Sequence, residues 1–398
     1  MADRADAVVI GGGVIGSSIA LHLRELMPGA RVVIVERDPT CARASSRLAT
    51  GGIRQLYSSP LNVAMARHSV EFYRGFDHRT LAAGHPTRAW FRERGYLFLA
   101  DASTARRLER RYEASRRAGA RVERWTRGEV RAHVPGLFVD DVELALFGPD
   151  DGYLDPREVL AGFRTLATTA GAELLAGEVV AIERAAGRVA AARVTTGDGD
   201  VEIATPVVVN AAGAWAGRVA GLAGLTLPIA PVRQHLFRLR LAEPLPSRIP
   251  MIFDPDGTHW RVDDPRFGGD EERLVIGRSR ADEPEGENFD CDHARLDGEM
   301  LPTLARRQPG ANVAGVVEGW AGLYEMTPDH NALLGEHPAL PGFVVAAGFS
   351  GHGLMMSPAT GRAIAELISA GRCASFDIAG LAPDRFERGI PFTDDALV

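Results

Sequence analysis

The stretch Ala7-Val8-Val9-Ile10-Gly11-Gly12-Gly13-Val14-Ile15-Gly16 decides the fold. Its four apolar residues bounded by glycine have the pattern of a buried parallel strand. Ser17 to Met27 then reads as a helix, with Ile19, Leu23 and Leu26 on one face and Pro28-Gly29 as its stop. Arg31-Val32-Val33-Ile34-Val35 reads as a second strand, with Glu36 at its C-terminal end. Gly11 permits a tight strand-to-helix turn, Gly13 lets a pyrophosphate approach the backbone, and Gly16 lets the helix pack closely on the strand. The helix start presents unpaired N–H groups and a partial positive charge to phosphates. Glu36, twenty residues after Gly16, is placed to accept hydrogen bonds from an adenosine ribose. The same carboxylate would repel a 2′-phosphate, which disfavours NADP. Together these elements predict a Rossmann-type dinucleotide site, with Val14, Ile15 and Arg37 among its cofactor-binding residues.

The rest of the composition narrows the chemistry. The 398 residues carry a net charge of −7, and all 45 basic positions of the Lys+Arg class are arginine. A chain without lysine forms no Schiff base, which excludes pyridoxal-phosphate enzymes and class I aldolases. It also lacks the lysine of a P-loop or a kinase. The acidic balance argues against nucleic acid as a partner. Arginine is dense from Arg88 to Arg131, but Glu109, Glu113 and Glu123 are interleaved, so this segment reads as a solvated helical face. Cys41, Cys291 and Cys373 lie far apart with no metal-ligand spacing, so a reduced compartment and no metal site are expected. The N-terminus carries no signal-peptide pattern, and no apolar run is long enough to span a membrane. A cytoplasmic location follows as the expectation.

Beyond Glu36 the chain does not continue as a simple NAD domain. It enters Ala44-Ser45-Ser46-Arg47-Leu48-Ala49-Thr50-Gly51-Gly52-Ile53-Arg54-Gln55. Here the sequence resembles the FAD-dependent amine and amino-acid oxidoreductases of the D-amino-acid oxidase superfamily, with the greater likeness to the sarcosine oxidase and dimethylglycine dehydrogenase branch. In that family this loop runs along the pyrophosphate and under the flavin, which implicates Ser45, Ser46, Thr50, Gly51 and Gly52. Asp151-Gly152-Tyr153-Leu154-Asp155-Pro156 resembles the family's lead into a helix. Gly177 to Ile182 resembles the strand whose valine, here Val180, meets the adenine through its backbone. Val207 to Trp215 resembles the strand and turn that pass the cofactor, at Ala212, Gly213 and Trp215. Gly348-Phe349-Ser350-Gly351-His352-Gly353-Leu354-Met355 resembles the C-terminal flavin motif. The small residues of that motif admit a flat ligand, and the helix expected from Leu354 to Ile368, with Pro358 in its first turns, directs N–H groups at the charge a reduced flavin carries.

The resemblance implies an α/β FAD-binding domain assembled from 1–85, 150–230 and 330–398. The segments 86–149 and 231–329 are expected to form an α+β substrate domain with a mostly antiparallel sheet. Within it, Trp90–Arg92 with Gly95–Leu99 reads as a hairpin, and Leu236–Arg240 and Leu274–Arg278 read as strands. Turn signals stand at Asp254-Pro255-Asp256-Gly257 and Gly268-Gly269.

The implied activity is oxidation of an amine or amino/imino-acid C–N bond to an imine, by hydride transfer to flavin N5. Oxygen or another acceptor takes the electrons. Arg54 aligns with a family arginine lying against the flavin, and Tyr324 with a tyrosine lining the substrate pocket. Tyr57 falls where sarcosine oxidases carry an arginine for the substrate carboxylate, and Met355 where they carry a lysine. These departures suggest a bulkier or less acidic substrate. Arg261 and Arg278 are further candidates for a carboxylate, and His259, His235 and His352 for positions near the flavin. The FAD is expected to be non-covalent, because Gly322 occupies the position of the attachment cysteine and the Ser45–Arg54 loop has no histidine. Val275 stands at the position of the lysine that speeds oxygen reaction in sarcosine oxidases. Two alternatives keep the fold: a 2-hydroxy-acid dehydrogenase, and a non-catalytic flavoprotein assembly or binding factor.

Overall fold

A computed structural model describes residues 3–246, 248–263, 273–279 and 283–394. Its centre is a six-stranded sheet in the order Leu333–Glu336, Phe343–Ala347, Val208–Asn210, Ala7–Ile10, Val32–Glu36 and Glu173–Ala176. All neighbours run parallel except the first pair. The inner strands are short and apolar because both faces are covered, whereas the edge strand Glu173–Ala176 is largely exposed. Ala7, Val9, Val32 and Ile34 point into one core with the helices Val14–Leu26, Pro60–Arg74, Pro156–Thr169 and Gly353–Ala370. Val8, Ile10, Val33 and Val35 point the other way, into a core shared with the antiparallel meander of Glu178–Ala185, Arg188–Thr196 and Gly199–Ala204. The two-residue alternation of the sequence is thus spent on two different packings.

Most element boundaries fall close to expectation. The first helix starts at Val14 rather than Ser17, and the second strand covers Val32–Glu36. The last helix covers Gly353–Ala370, which puts Pro358 at its sixth position rather than in a first turn that needs no donor. The carbonyl deprived by Pro358 is that of Leu354. It accepts instead from the Tyr73 hydroxyl at 2.7 Å and the Ser357 hydroxyl at 2.9 Å.

A second sheet has eight strands. Its order is Val313–Met326, Ala230–Leu241, Arg273–Arg278, Thr258–Asp263, Met251–Phe253, Tyr96–Ala100, Leu144–Gly148 and Glu123–Trp125. Only the Met251–Phe253 and Tyr96–Ala100 pair is parallel. One face, carrying Leu97, Leu99, Phe237, Trp260 and Ile276, packs on the helical segment that includes Leu296, Met300 and Leu304. On the opposite face, Tyr96, Phe98, Ala100 and Met251 join the core formed by the six-stranded sheet and its helices. The Asp254–Gly257 turn joins two antiparallel strands as expected. Gly268-Gly269 lies outside the described residues. The expected hairpin of Trp90–Arg92 with Gly95–Leu99 does not form. Trp90 adopts a φ of 53° and Gly95 one of 81°, which turn the chain aside, and Arg92 bridges to Tyr153 while Tyr96–Ala100 pairs with Leu144–Gly148. The arginine-dense segment contains the helix Ala105–Arg117. It is not solvated throughout, because Arg111 is 1 % exposed.

Candidate active site

The carboxyl ends of Ala7–Ile10 and Val32–Glu36 open onto a cavity of about 840 Å³. Gly11, Gly13, Val14, Ile15, Glu36, Arg37, Ser45, Ser46, Val180, Ala212, Gly213 and Trp215 all line it. Gly16 does not; a Cβ there would run into the carbonyl of Gly11, so its role is the close approach of helix and strand. A Cβ on Gly13 would meet only Ser46 Oγ, at 3.2 Å, so the space above this residue belongs to the cavity. The Glu36 carboxylate accepts from Gly12 N–H at 2.7 Å and from Asp38 N–H at 2.9 Å, which fixes it at the strand end. Arg164, which the sequence reading missed, braces the same turn through Gly12 O at 2.9 Å and Cys41 Sγ at 2.9 Å. Its signal was an arginine in the middle of an amphipathic helix, well past the Arg157 of the first turn. Val180 lies at a register shift between Val179 and Ala181, so its backbone is released from the ladder beside the cavity.

These residues suit a dinucleotide. Two helices begin beside the site, at Val14 and Gly353, and neither has a side-chain cap or an acid in its first turn. The neighbouring helix Pro156–Thr169 is capped by Asp155 and carries Glu158 at its start. Bare helix starts are where an anionic ligand gains most. Trp215 Nε1 is buried without a partner among the described residues, although Trp215 lines the cavity and is covered by the Arg37 guanidinium at 4.0 Å.

Beyond this cavity, towards the eight-stranded sheet, is a pocket of about 50 Å³ lined by Thr50, Gly51, Gly52, Arg54, Tyr96, Phe253, His259, Ser279, Tyr324, Gly351, His352, Leu354 and Met355. Gly353 lies just outside it, at the start of the last helix. Arg54 is buried, bonded to Leu56 O at 2.6 Å and to His352 Nε2 at 2.8 Å, and stacked 4.5 Å over the Tyr57 ring. Tyr57 sits one layer behind, where its hydroxyl donates to Met355 Sδ at 2.7 Å. His352 is therefore engaged through its side chain, not only its backbone. His259 stacks on Phe253 at 4.7 Å, and burial pushes it down to about 4, so its imidazole is neutral across the physiological range.

Other candidates lie elsewhere. Arg261 is buried and bonded to Thr50 O at 2.7 Å and Asp263 at 3.0 Å, so it ties the loop that carries Thr50 to the sheet instead of presenting a guanidinium to the pocket. Arg278 faces Asp256 and Glu299, each at 3.7 Å. His235 is buried but does not line the pocket, lying opposite Ala321 in its sheet. The sequence reading passed over Glu325, a buried acid that lines the large cavity and accepts from Gly348 N–H at 2.8 Å. Burial raises it to about 7. Its signal was a lone acid in the run from Trp320 to Met326, next to Tyr324.

Comparison with known proteins agrees with this geometry. Residues 6–367 match the family model described as DAO, FAD dependent oxidoreductase. The chain is 34% identical to FAD-dependent oxidoreductase domain-containing protein 1 of Xenopus laevis, across 100% of this chain and 85% of that protein. Among solved structures, L-proline dehydrogenase from P. horikoshii superposes with a TM-score of 0.85 at 29% identity, covering 98% of this chain and 100% of the other. Glycine oxidase from Geobacillus kaustophilus gives 0.83 at 28% identity, covering 96% and 99%. Among the described residues no helix is long and apolar enough to cross a membrane, and no cluster of His, Cys, Asp and Glu could hold a metal. The chain belongs to the DAO family of FAD-dependent oxidoreductases.

Proposed function

We propose that this oxidoreductase oxidises the C–N bond of an amine or amino/imino acid to an imine. The observation that carries the reading is the charge of the smaller pocket: Arg54 is its one charged side chain among the described residues, and His259 beside it is neutral. A fixed positive charge disfavours a substrate ammonium and so favours the neutral amine, whose lone pair drives the reaction. FAD, when bound, supplies the electron acceptor, taking a hydride at N5. The chain's own residues orient the substrate C–H and exclude water. In this reading Arg54, Tyr324 and His259 touch the substrate or the flavin, Met355 closes the pocket, and Tyr57 holds Arg54 and Met355 in place. Gly11, Gly13, Val14, Ile15, Gly16, Glu36, Arg37, Ser45, Ser46 and Val180 serve the ADP half. Thr50, Gly51, Gly52, Ala212, Gly213, Trp215, Gly351, His352, Gly353, Leu354 and Met355 serve the remainder. The sheet that carries Tyr96, Phe253 and His259 would act as a substrate domain over an FAD-binding domain.

The hydroxy-acid alternative needs a strong base for the hydroxyl proton. A histidine pushed down to about 4 is poorly suited to that task. The related enzymes include a proline dehydrogenase and a glycine oxidase, which also supports nitrogen substrates. We take the cofactor to be non-covalent: Cys41, Cys291 and Cys373 all stand outside the smaller pocket. Acid precipitation should leave colourless protein and yellow supernatant.

The deciding experiment is anaerobic bleaching of the flavin by N-methyl amines, imino acids and hydroxy acids. Amine-driven bleaching should accelerate as pH rises through the amine pKa. Bleaching by hydroxy acids alone would overturn the reading, and bleaching by nothing in the panel would favour a binding or assembly role.

A further inference from the structure

Glu325 is a buried acid that the proposed chemistry leaves without a task. It stands next to last in the strand Val313–Met326. Adjacent residues of a strand point to opposite faces. Here Tyr324 lines the smaller pocket and Glu325 the large cavity, so this strand end stands between the two spaces. The Glu325 Oε2 accepts from Gly348 N–H at 2.8 Å, and Phe349 N–H also reaches the carboxyl. Its Oε1 lies on the side of Gly353, 3.6 Å from where a Cβ on that glycine would stand. Gly353 opens the last helix, whose uncapped start suits an anionic ligand.

Among the described residues Glu325 has no ion-pair partner; burial raises it to about 7, and only the Gly348 and Phe349 N–H groups oppose that. Few titratable groups surround it. Tyr324 precedes it on its own strand, and the strand Ala230–Leu241 sets Pro231 opposite it. The turn before the last helix brings His352, which is bonded to Arg54. The loop tied to the strand by Ser45 Oγ and Leu323 O at 2.6 Å brings Arg43 and Arg47, both exposed. Glu36, Arg37, Asp38, Glu178 and the Arg218–Glu287 pair share the walls of the cavity, and none of them moves Glu325. A buried carboxylate without a cation is costly, and a diphosphate in the same cavity makes the anion costlier still. The protonated acid keeps an acceptor for Gly348 and gains a donor.

We propose that Glu325 is a cofactor-binding residue, whose carboxyl donates a hydrogen bond to bound FAD on the chain that links the ADP half to the flavin. The proposal rests on the assignment of the large cavity to the ADP half and of the smaller pocket to the flavin side, and it holds whichever substrate is oxidised. Bound FAD then keeps the Glu325 proton in place, and the free site loses it above about 7. Affinity is therefore full below that pH and falls as pH rises, because binding must first return the proton.

The test dilutes FAD-loaded wild type, Glu325→Gln and Glu325→Leu at pH 6 to pH 9 and reads released FAD from its fluorescence. Wild-type affinity should weaken about tenfold for each pH unit above 7, and release at pH 8 should deliver about one proton to an indicator dye. Glu325→Gln, whose amide donates at every pH, should keep the wild type's pH 6 affinity throughout and release no proton. Glu325→Leu has no donor and should bind about tenfold more weakly at pH 6, without pH dependence. A second readout needs no release. The infrared difference between wild-type and Glu325→Gln holoprotein at pH 8 should show that the variant has lost a protonated carboxyl band. Equal pH slopes in wild type and Glu325→Gln, or loss of a carboxylate band instead, overturns the proposal. Glu36→Arg separates it from the assignment on which it rests. If Glu36→Arg weakens FAD binding while wild type and Glu325→Gln share one slope, the proposal alone fails. If Glu36→Arg leaves FAD affinity unchanged, the cavity assignment fails and takes the proposal with it.

Discussion

At the proposed dinucleotide end of the cleft, the features that suit a ligand lie in the backbone. Gly13 leaves room above the chain, the helix at Val14 begins without a cap, and Val180 lies at a bulge. At the other end the pocket is a convergence of side chains from distant segments: Arg54, Tyr96, His259, Tyr324 and Met355. The first kind of site is rigid and tolerates few changes, because main-chain geometry has no substitute. The second can change residue by residue while the scaffold persists, and this is where substrate preference can drift. Tyr57 and Met355 illustrate it. The resemblance sets them where sarcosine oxidases carry charged residues, and they fit each other, through a hydroxyl-to-sulfur contact of 2.7 Å.

The sharpest break of this contrast is Gly16→Val. A Cβ at Gly16 would collide with the Gly11 carbonyl, and Val9 Cγ1 is at 3.1 Å, so strand and helix must separate. The expected cost is roughly 4 kcal/mol or more, with loss of bound FAD. FAD content and a urea unfolding curve check it. A variant that retains FAD with an unchanged midpoint would show that the close helix–strand approach is dispensable.

The two ends should respond to pH with opposite sign: Glu325 at the large cavity, raised to about 7, costs stability as pH rises from 4.5 towards 7, and His259 costs it as pH falls. Burial pushes His259 from 6.5 down to about 4. The unfolded chain takes up a proton near 6.5, and the folded protein does so only near 4. Stability is therefore fully present above 6.5 and is lost as pH falls from there towards 4, by roughly 3 kcal/mol. His259→Phe removes the titration and keeps the stack on Phe253. Its unfolding free energy should fall less than the wild type's between pH 7 and pH 4.5. Parallel curves would mean that His259 takes its proton in the folded state.

The same contrast governs what could be read in the chain before its fold was known. The βαβ unit was legible because its signals are local: an apolar run, glycines at fixed spacing and one acid at a strand end. The position of Val180 followed from the resemblance, though the bulge that frees its backbone did not. The smaller pocket was legible only as a set of candidates. Arg261 and Arg278 stand on the expected strands, but their guanidinium groups are spent on Thr50, Asp263, Asp256 and Glu299, partners that no local spacing reveals. Arg111 was hidden for the opposite reason. Its neighbours in sequence, Arg110 and Glu113, are exposed, so composition pointed to solvent while the helix turned one face inward. Trp90 and Gly95 ended the expected hairpin through positive φ angles, a property of the surrounding packing.

The mildest test concerns the electron acceptor. Reaction of a reduced flavin with oxygen passes through one-electron transfer, and a nearby positive charge stabilises the nascent superoxide. Val275, which the resemblance sets at the lysine position of sarcosine oxidases, is 2 % exposed and lies opposite Arg261 on one side and Arg238 on the other. Both cations are neutralised: Arg261 by Asp263, and Arg238 by Asp263 and Glu318. His259 is held neutral and contributes no charge. That leaves Arg54 as the cation of the pocket among the described residues, a guanidinium bulkier than an ammonium and with its charge more spread, so we expect dithionite-reduced holoenzyme to reoxidise slowly in air and to prefer an artificial or protein acceptor. Val275→Lys should speed that step about tenfold, since one added charge needs to lower the barrier by only about 1.4 kcal/mol. A lysine buried beside two arginines will have a depressed pKa, so the acceleration should fade as pH rises. Stopped-flow reoxidation across pH separates the outcomes. Fast reoxidation of the wild type would show that Arg54 or Arg261 already serves oxygen, and the substrate end would then owe its oxidase character to a guanidinium where sarcosine oxidases use an ammonium.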